Sequence, residues 1–294
     1  MCGITITSCS RKINLNSRVF PLDLKKEIEK LVKFNNHNQI NRLFELSSKY
    51  KNDSNFLQYF KYSDERKKIK SCKNLLIQYL KKNSSRNINN KSHEDIEKIK
   101  DIIWFLDTEL TKRYQFVKKF IKKNNYTDQF LIFLKTLNSV INSINYLEIR
   151  GRDSLGLMFN ISLKKNKENI SWIKKKYNYK KNFIKITKNF ISLNIIYKTC
   201  NIFGSLGDNS KEILKKIRND YSFLKLLKSG NYENINIIAH TRWASVGKVN
   251  LENTHPIANV KSTSNKLPTI FSVMNGDIYN YENIISKSRK LKNV

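Results

Sequence analysis

Between Gly3 and Gly151 the chain contains no glycine. Positive-φ turns and close backbone approaches to a ligand are made most readily by glycine. A stretch that long without one is suited to helices joined by polar loops, and any sheet-borne chemistry should lie at the two ends of the sequence. Of the eight glycines, Gly3, Gly151, Gly156, Gly247 and Gly276 fall within short blocks that also hold His240 and His255, two of the four histidines, and Trp243.

The hydrophobic spacing points the same way. Ile103, Leu106, Leu110, Tyr114, Val117 and Ile121 recur at three- and four-residue steps, as do Phe130, Phe133, Leu137, Val140 and Ile144, which predicts long amphipathic helices within residues 22–146. Residues 82–92, rich in Asn, Ser and Lys, are predicted to be a loop. After Gly156 the chain changes character: residues 157–163, 183–186 and 191–198 are predicted as strands of an antiparallel sheet, and residues 210–228 as a helix with Ile213, Leu214, Ile217, Tyr221, Leu224 and Leu227 on one face. Residues 235–241 and 269–274 are further strand candidates, delivering Arg242-Trp243 and Asn275-Gly276 at their ends, and Cys2 to Thr7 is a β-branched run suited to a buried strand.

The length of 294 residues and a hydrophobic content of 39% suit a folded protein with one elaborated domain or two. A net charge of +32 would ordinarily suggest nucleic acid or an anionic membrane. The cations, however, are mostly Lys amid abundant Asn, Ile and Tyr, whereas base- and phosphate-reading surfaces lean on Arg. A solvated surface is expected, with no nucleic-acid partner. Cys2, Cys9, Cys72 and Cys200 show neither metal-ligand spacing nor a disulfide framework. No apolar run approaches a membrane span and the start lacks signal-peptide character, so a cytoplasmic protein with no membrane partner is expected.

Removal of the initiator Met would leave Cys2 with both a thiol and a free α-amino group. A thiol of pKa ~8.5 is only slightly ionised at neutral pH, and an α-amino group titrating at ~7.7–8.0 can accept its proton. Position 2 is where one residue can be nucleophile and base together.

Three downstream blocks accompany it: Leu147-Glu148-Ile149-Arg150-Gly151-Arg152-Asp153-Ser154-Leu155-Gly156-Leu157, Ile238-Ala239-His240-Thr241-Arg242-Trp243-Ala244-Ser245-Val246-Gly247 with Asn253-Thr254-His255-Pro256 beyond it, and Phe271-Ser272-Val273-Met274-Asn275-Gly276-Asp277-Ile278-Tyr279-Asn280-Tyr281. With Cys2-Gly3-Ile4, and in this order, they resemble the class II glutamine amidotransferase domain, closest to the glutaminase domain of glucosamine-6-phosphate synthase. There the blocks read roughly Cys-Gly-Ile-Val, Arg-Gly-Tyr-Asp-Ser-Ala-Gly, His-Thr-Arg-Trp-Ala-Thr-His-Gly, Asn-Ala-His-Pro and His-Asn-Gly-Ile.

The resemblance implies an N-terminal-nucleophile α/β fold, a four-layer αββα sandwich with two central sheets over residues 2–294, enlarged by a helical insertion at residues 9–146. It implies that Cys2 attacks the side-chain carbonyl of L-glutamine, with the Asn275 amide and the Gly276 N–H as oxyanion donors and Arg150 and Gly151 beside the nucleophile. Arg242, Trp243, Ser245 and Gly276 would bind the substrate, Arg242 through its α-carboxylate. No cofactor and no metal are implied. The ammonia would pass to a sugar phosphate, fructose 6-phosphate becoming glucosamine 6-phosphate, in downstream domains not included here. The acidic residue with which the family holds the glutamine α-amino group also falls beyond Val294, so this chain alone is expected not to sustain glutaminase activity. An oligomeric assembly is left open.

Arg152, Val246 and Met274 stand where the family has an aromatic, a His and a His. None is a core catalytic group, but they weaken assignment to glucosamine-6-phosphate synthase itself relative to its class. The alternatives are another class II amidotransferase such as an asparagine synthetase, which Asn275-Gly276-Asp277-Ile278-Tyr279-Asn280 also resembles, and a catalytically silent module presenting a basic helical surface. The His240-Thr241-Arg242-Trp243-Ala244 block weighs against the asparagine synthetase.

Overall fold

The computed structural model describes residues 2–10, 21–34, 37–83, 90–121, 126–176, 183–200, 204–245, 247–259 and 270–287. Most of the predicted 82–92 loop, together with Val246 and Thr269, lies outside them. The chain divides into two compact units, one comprising Met1–Arg11 with Thr136–Val294 and the other Lys12–Lys135.

The second unit is helical. It contains α1 (Pro21–Phe34), α2 (His37–Lys49), α3 (Asp53–Lys61), α4 (Ser63–Asn83), α5 (Asn90–Phe105), a π-helical segment (Leu106–Lys112), α6 (Arg113–Lys118) and the first turns of α7 (Asp128–Leu147). Apolar residues at helical spacing supply its core: Leu24, Ile28 and Leu31 of α1 pack with Leu43, Ile69, Leu76, Ile102 and Leu106. The single helix predicted over residues 103–121 is broken by the π segment, where the Thr111 hydroxyl donates to Leu106 O at 3.2 Å, five residues back. Arg113, just after it, is buried and ion-paired with Glu109. A wider turn still satisfies the apolar spacing, so the pattern of side chains does not reveal it.

The first unit is built on a five-stranded antiparallel sheet of β1 (Gly3–Ser10), β2 (Ser154–Lys164), β3 (Phe183–Ile186), β4 (Phe190–Cys200) and β5 (Asn234–Arg242), in the order β1-β5-β2-β4-β3. β1 runs on through Cys9, which is buried opposite Ile235. Because successive side chains point to opposite faces, Leu157, Phe159 and Ile161 share one face with Ala239, Ile237 and Ile235. That face is apolar, and Phe159 meets Phe223 with ring centroids 4.9 Å apart.

The other face carries a row of amides. Ser8 Oγ donates to Asn234 Oδ1 (2.9 Å), Asn234 Nδ2 to Asn236 Oδ1 (2.9 Å), and Asn160 Nδ2 to both Ser192 Oγ (2.9 Å) and Asn194 Oδ1 (2.6 Å). These side chains satisfy one another in a region where β-branched residues would otherwise be expected.

Connecting the strands are α8 (Lys167–Lys176), α9 (Asp208–Asn219) and α10 (Tyr221–Ser229). The predicted helix over residues 210–228 is therefore two helices. Asp220 leaves helical geometry (φ −84°, ψ 82°) and caps α10 by accepting from the Phe223 N–H at 2.9 Å. An Asp cap supplies a partner for a first-turn N–H that the helix itself leaves unpaired. Beyond β5 the described residues hold a two-stranded sheet, β6 (Ile257–Ala258) with β7 (Phe271–Ser272), and the exposed α11 (Tyr281–Lys287). The predicted strand at residues 269–274 shrinks to the two residues of β7. No helix among the described residues is long and apolar enough to cross a membrane.

Candidate functional site

β5 is paired on both sides, and its C-terminal end gathers the site. Gly3 of β1 lies opposite Thr241 and Ser154 of β2 opposite Arg242, so the residues flanking all three strand ends converge. Gly3 is buried against Leu147: a Cβ there would stand 2.5 Å from Leu147 Cβ, and glycine is what permits that approach.

Cys2 precedes Gly3. Its N–H donates to Asn275 Oδ1 at 3.1 Å and its thiol to Trp243 O at 3.8 Å. Three sequence blocks, the first and last 273 residues apart, thus meet at one residue. With Oδ1 engaged, the Asn275 amide has its Nδ2 donor as its other polar end. Gly276 is exposed, and nothing lies within 4 Å of where a Cβ would be.

The turn entering β2 is tied to the end of β5. Asp153 N–H donates to Arg242 O (3.0 Å), and the Asp153 carboxylate accepts the Ala244 N–H (2.6 Å). Gly151 is buried, with its N–H on Glu148 O at 3.2 Å. A cleft of about 380 Å³ opens here, lined by Ile149, Gly151, Arg152, Asp153, Leu206 and Trp243. Arg242 Nη1 donates to Lys248 O at 3.2 Å. Ser245 Oγ lies 3.3 Å from both carboxylate oxygens of Asp277, linking the second block to the third.

Cys2 is therefore in direct contact with both Asn275 and the main chain of Trp243, and Gly151 shares the cleft with Trp243. Arg150 is exposed at the end of a 3-10 turn (Glu148–Arg150), and no hydrogen bond joins it to Cys2 among the described residues.

Two histidines complete the site. His240, on β5, and His255, beside β6, pack with ring centroids 4.4 Å apart. His240 Nε2–H donates to Met274 O at 3.0 Å, while the Met274 N–H donates to His255 Nδ1 at 3.2 Å. These partners assign the proton to Nε2 of both rings. Gly156 makes the arrangement sterically possible: opposite His240 on β2, it would place a Cβ only 1.7 Å from the His255 carbonyl oxygen.

Burial pushes the His255 pKa down to about 4, with His240, Arg242 and Lys198 adding to the shift; burial also lowers His240. A histidine with a depressed folded pKa stabilises the protein fully above its unfolded value of ~6.5, and that contribution is lost as pH falls toward the folded value. Thermal stability should therefore decline between pH ~6.5 and about 4. In His255→Asn, which does not titrate, the decline should be smaller. Melting curves of both proteins across this range check the assignment, and equal losses would refute it.

The roles of Asp277 and the His240–His255 pair were not assigned from sequence, and for Asp153 only the holding of its turn could be read, not the partners it holds. Asp153 and the two imidazoles act on backbone atoms of their neighbours, which leave no trace in a side-chain pattern. The Ser245–Asp277 contact lies within two quoted blocks but joins residues 32 apart. Among the described residues no cluster of three or more His, Cys, Asp or Glu could hold a metal ion. Comparison with protein-family models, with curated proteins and with solved structures gives no match for this chain.

Proposed function

We propose that this chain carries the glutaminase site of a class II glutamine amidotransferase, on an N-terminal-nucleophile fold, with the released ammonia delivered to a sugar phosphate in the whole protein. The observation that carries the proposal is the meeting of Cys2 N with Asn275 Oδ1 at 3.1 Å, beside the Trp243 carbonyl.

Once Met1 is removed, the Cys2 nitrogen is an α-amine. Donating one N–H to Asn275 Oδ1 would orient it, leaving the amine lone pair to take the thiol proton. The thiolate attacks the glutamine amide carbon, and the negative charge moves to oxygen, where Asn275 Nδ2–H and Gly276 N–H would donate to it. The intermediate collapses with the proton returned from the ammonium group to the leaving nitrogen, so that ammonia departs and a thioester remains. Water, deprotonated by the same amine, then attacks the thioester, releasing glutamate and restoring the thiol. The cleft beside Trp243 has room for an amino-acid substrate, and Arg242, the last residue of β5, supplies a guanidinium suited to a carboxylate.

Intact mass and glutamine hydrolysis of the full-length protein test this together. Active protein should lack Met1; full activity with Met1 retained would sink the mechanism. Asn275→Ala should lower kcat by on the order of 10²–10³ with little change in KM, because its donor acts on charge that develops only in the transition state. Arg242→Ala should instead weaken glutamine binding by roughly 2–5 kcal/mol. An unchanged KM in Arg242→Ala would remove the carboxylate from that residue.

A further inference from the structure

His240 and His255 take no part in the chemistry just described, yet they grip the residue next to Asn275 from both sides. We propose that the two imidazoles are positioning residues that hold the Asn275–Gly276 donor pair against Cys2; this rests on the amidotransferase assignment for its purpose, though not for its geometry.

The Met274 carbonyl that His240 binds belongs to the peptide group whose nitrogen is that of Asn275. The Met274 N–H, on the other side of the same Cα, is bound by His255. With both polar groups anchored, rotation at Met274 is restrained, and the following side chain is delivered 3.1 Å from Cys2 N. Catalytic donors need such restraint, since errors of a fraction of an ångström weaken their effect. The grip uses only the backbone of Met274, whose side chain is exposed. This explains why Met can stand where the resembling family has His.

His240 is anchored by β5 and 1% exposed; His255 is pressed onto β2 at Gly156. The charged and titratable groups acting on His255 are His240, Arg242 and Lys198, and Arg242 acts on His240. None is acidic, so nothing among them favours a second positive charge. The neutral ring is the one that works, because a protonated imidazole has no lone pair to accept the Met274 N–H.

The test compares His255→Leu and His240→Leu with His255→Asn and His240→Gln. The Asn side chain keeps an acceptor near the place of Nδ1, and Gln keeps a donor near Nε2. Hydrogen exchange of the Met274 and Asn275 amides reads the grip directly, melting curves report folding, and glutamine hydrolysis by the full-length protein gives kcat and KM. In His255→Leu the Met274 amide should exchange about tenfold faster, the equivalent of one lost hydrogen bond. Both Leu variants should lose about 10- to 100-fold in kcat with KM nearly unchanged, while Asn and Gln restore both measures.

In the unsubstituted protein the protection factor of the Met274 amide should fall as pH drops toward about 4; in His255→Asn it should not. This comparison holds even where a Leu variant does not fold. Unchanged exchange at Met274 in a folded His255→Leu, or a His255→Asn as impaired as His255→Leu, overturns the proposal. Protein that shows the exchange pattern but no Cys2-dependent hydrolysis keeps the grip and refutes only the reaction assigned to it.

Discussion

Cys2→Ala in the full-length protein should reduce glutamine hydrolysis by on the order of 10⁴–10⁶, the scale on which removing a covalent nucleophile acts. The fold should be left intact. Cys2 is half-exposed and contributes little packing, and its N–H can reach Asn275 whether the side chain is a thiol or a methyl. Melting temperature and sheet content should therefore match the parent protein while ammonia release and labelling by a diazoketone analogue of glutamine disappear. Cys2→Ser keeps a hydroxyl in place of the thiol but is a far poorer nucleophile at neutral pH, so it should fall much nearer to Ala than to Cys. Turnover in Cys2→Ala within tenfold of the parent would remove the N-terminal cysteine from the chemistry.

Gly156→Ala should be the most damaging small substitution in the sheet unit, destabilising it by about 3 kcal/mol or more. The added methyl would lie 1.7 Å from a backbone oxygen, that of His255, which cannot move aside as a side chain could. Either β2 shifts out of register with β5 or the segment from His255 onward lifts from the sheet. The second outcome would also release the His255 contact to Met274, so any folded remainder should lose activity beyond its loss of stability. Urea titration of the two proteins decides the matter: midpoints corresponding to a difference below about 0.5 kcal/mol would mean that the close packing at Gly156 is not real.

Strands β2 to β5 were legible because their residues leave few alternatives, whereas β1, expected to be buried, lies at the sheet edge with Ile4 and Ile6 exposed. β3 coincides with the predicted residues 183–186, and β2, β4 and β5 extend predicted runs by a few residues at their ends. Helix boundaries were less so. Ile217, Tyr221 and Leu224 keep a helical step across Asp220, and only the capping chemistry of an Asp distinguishes two helices from one. The π segment hides for the same reason, since Leu106 and Leu110 are both buried whether the turn is wide or narrow.

At the site, Cys2 could be chosen from the sequence because its thiol and α-amine are tied to its type and position, whereas Trp243 and Asn275 were chosen through the resemblance, and Trp243 meets Cys2 through a backbone carbonyl that any residue would supply. That they touch could not be read from spacing, since it depends on β1 entering beside β5 in one register. Arg150 shows the converse. The resemblance puts it beside the nucleophile, but at the end of the 3-10 turn it is exposed and has no hydrogen bond to Cys2 among the described residues.

The separation of Cys2 from its partners also sets an order in time. A ribosome adding ~5–20 residues per second reaches Asn275 roughly 14–55 s after Cys2, the two being 273 residues apart. Until residue 242 has been added β1 has no complete β5 to pair with, whereas every residue of the helical unit Lys12–Lys135 is present well before then. The first segment made is thus among the last to find its place, and Cys2 stays without its partner Asn275 until nearly the whole described chain has been added. On the proposed reading, a newborn Cys2 thiol that meets glutamine before then lacks Asn275 and Gly276, so the order of synthesis would itself delay the reaction until the third block has been made.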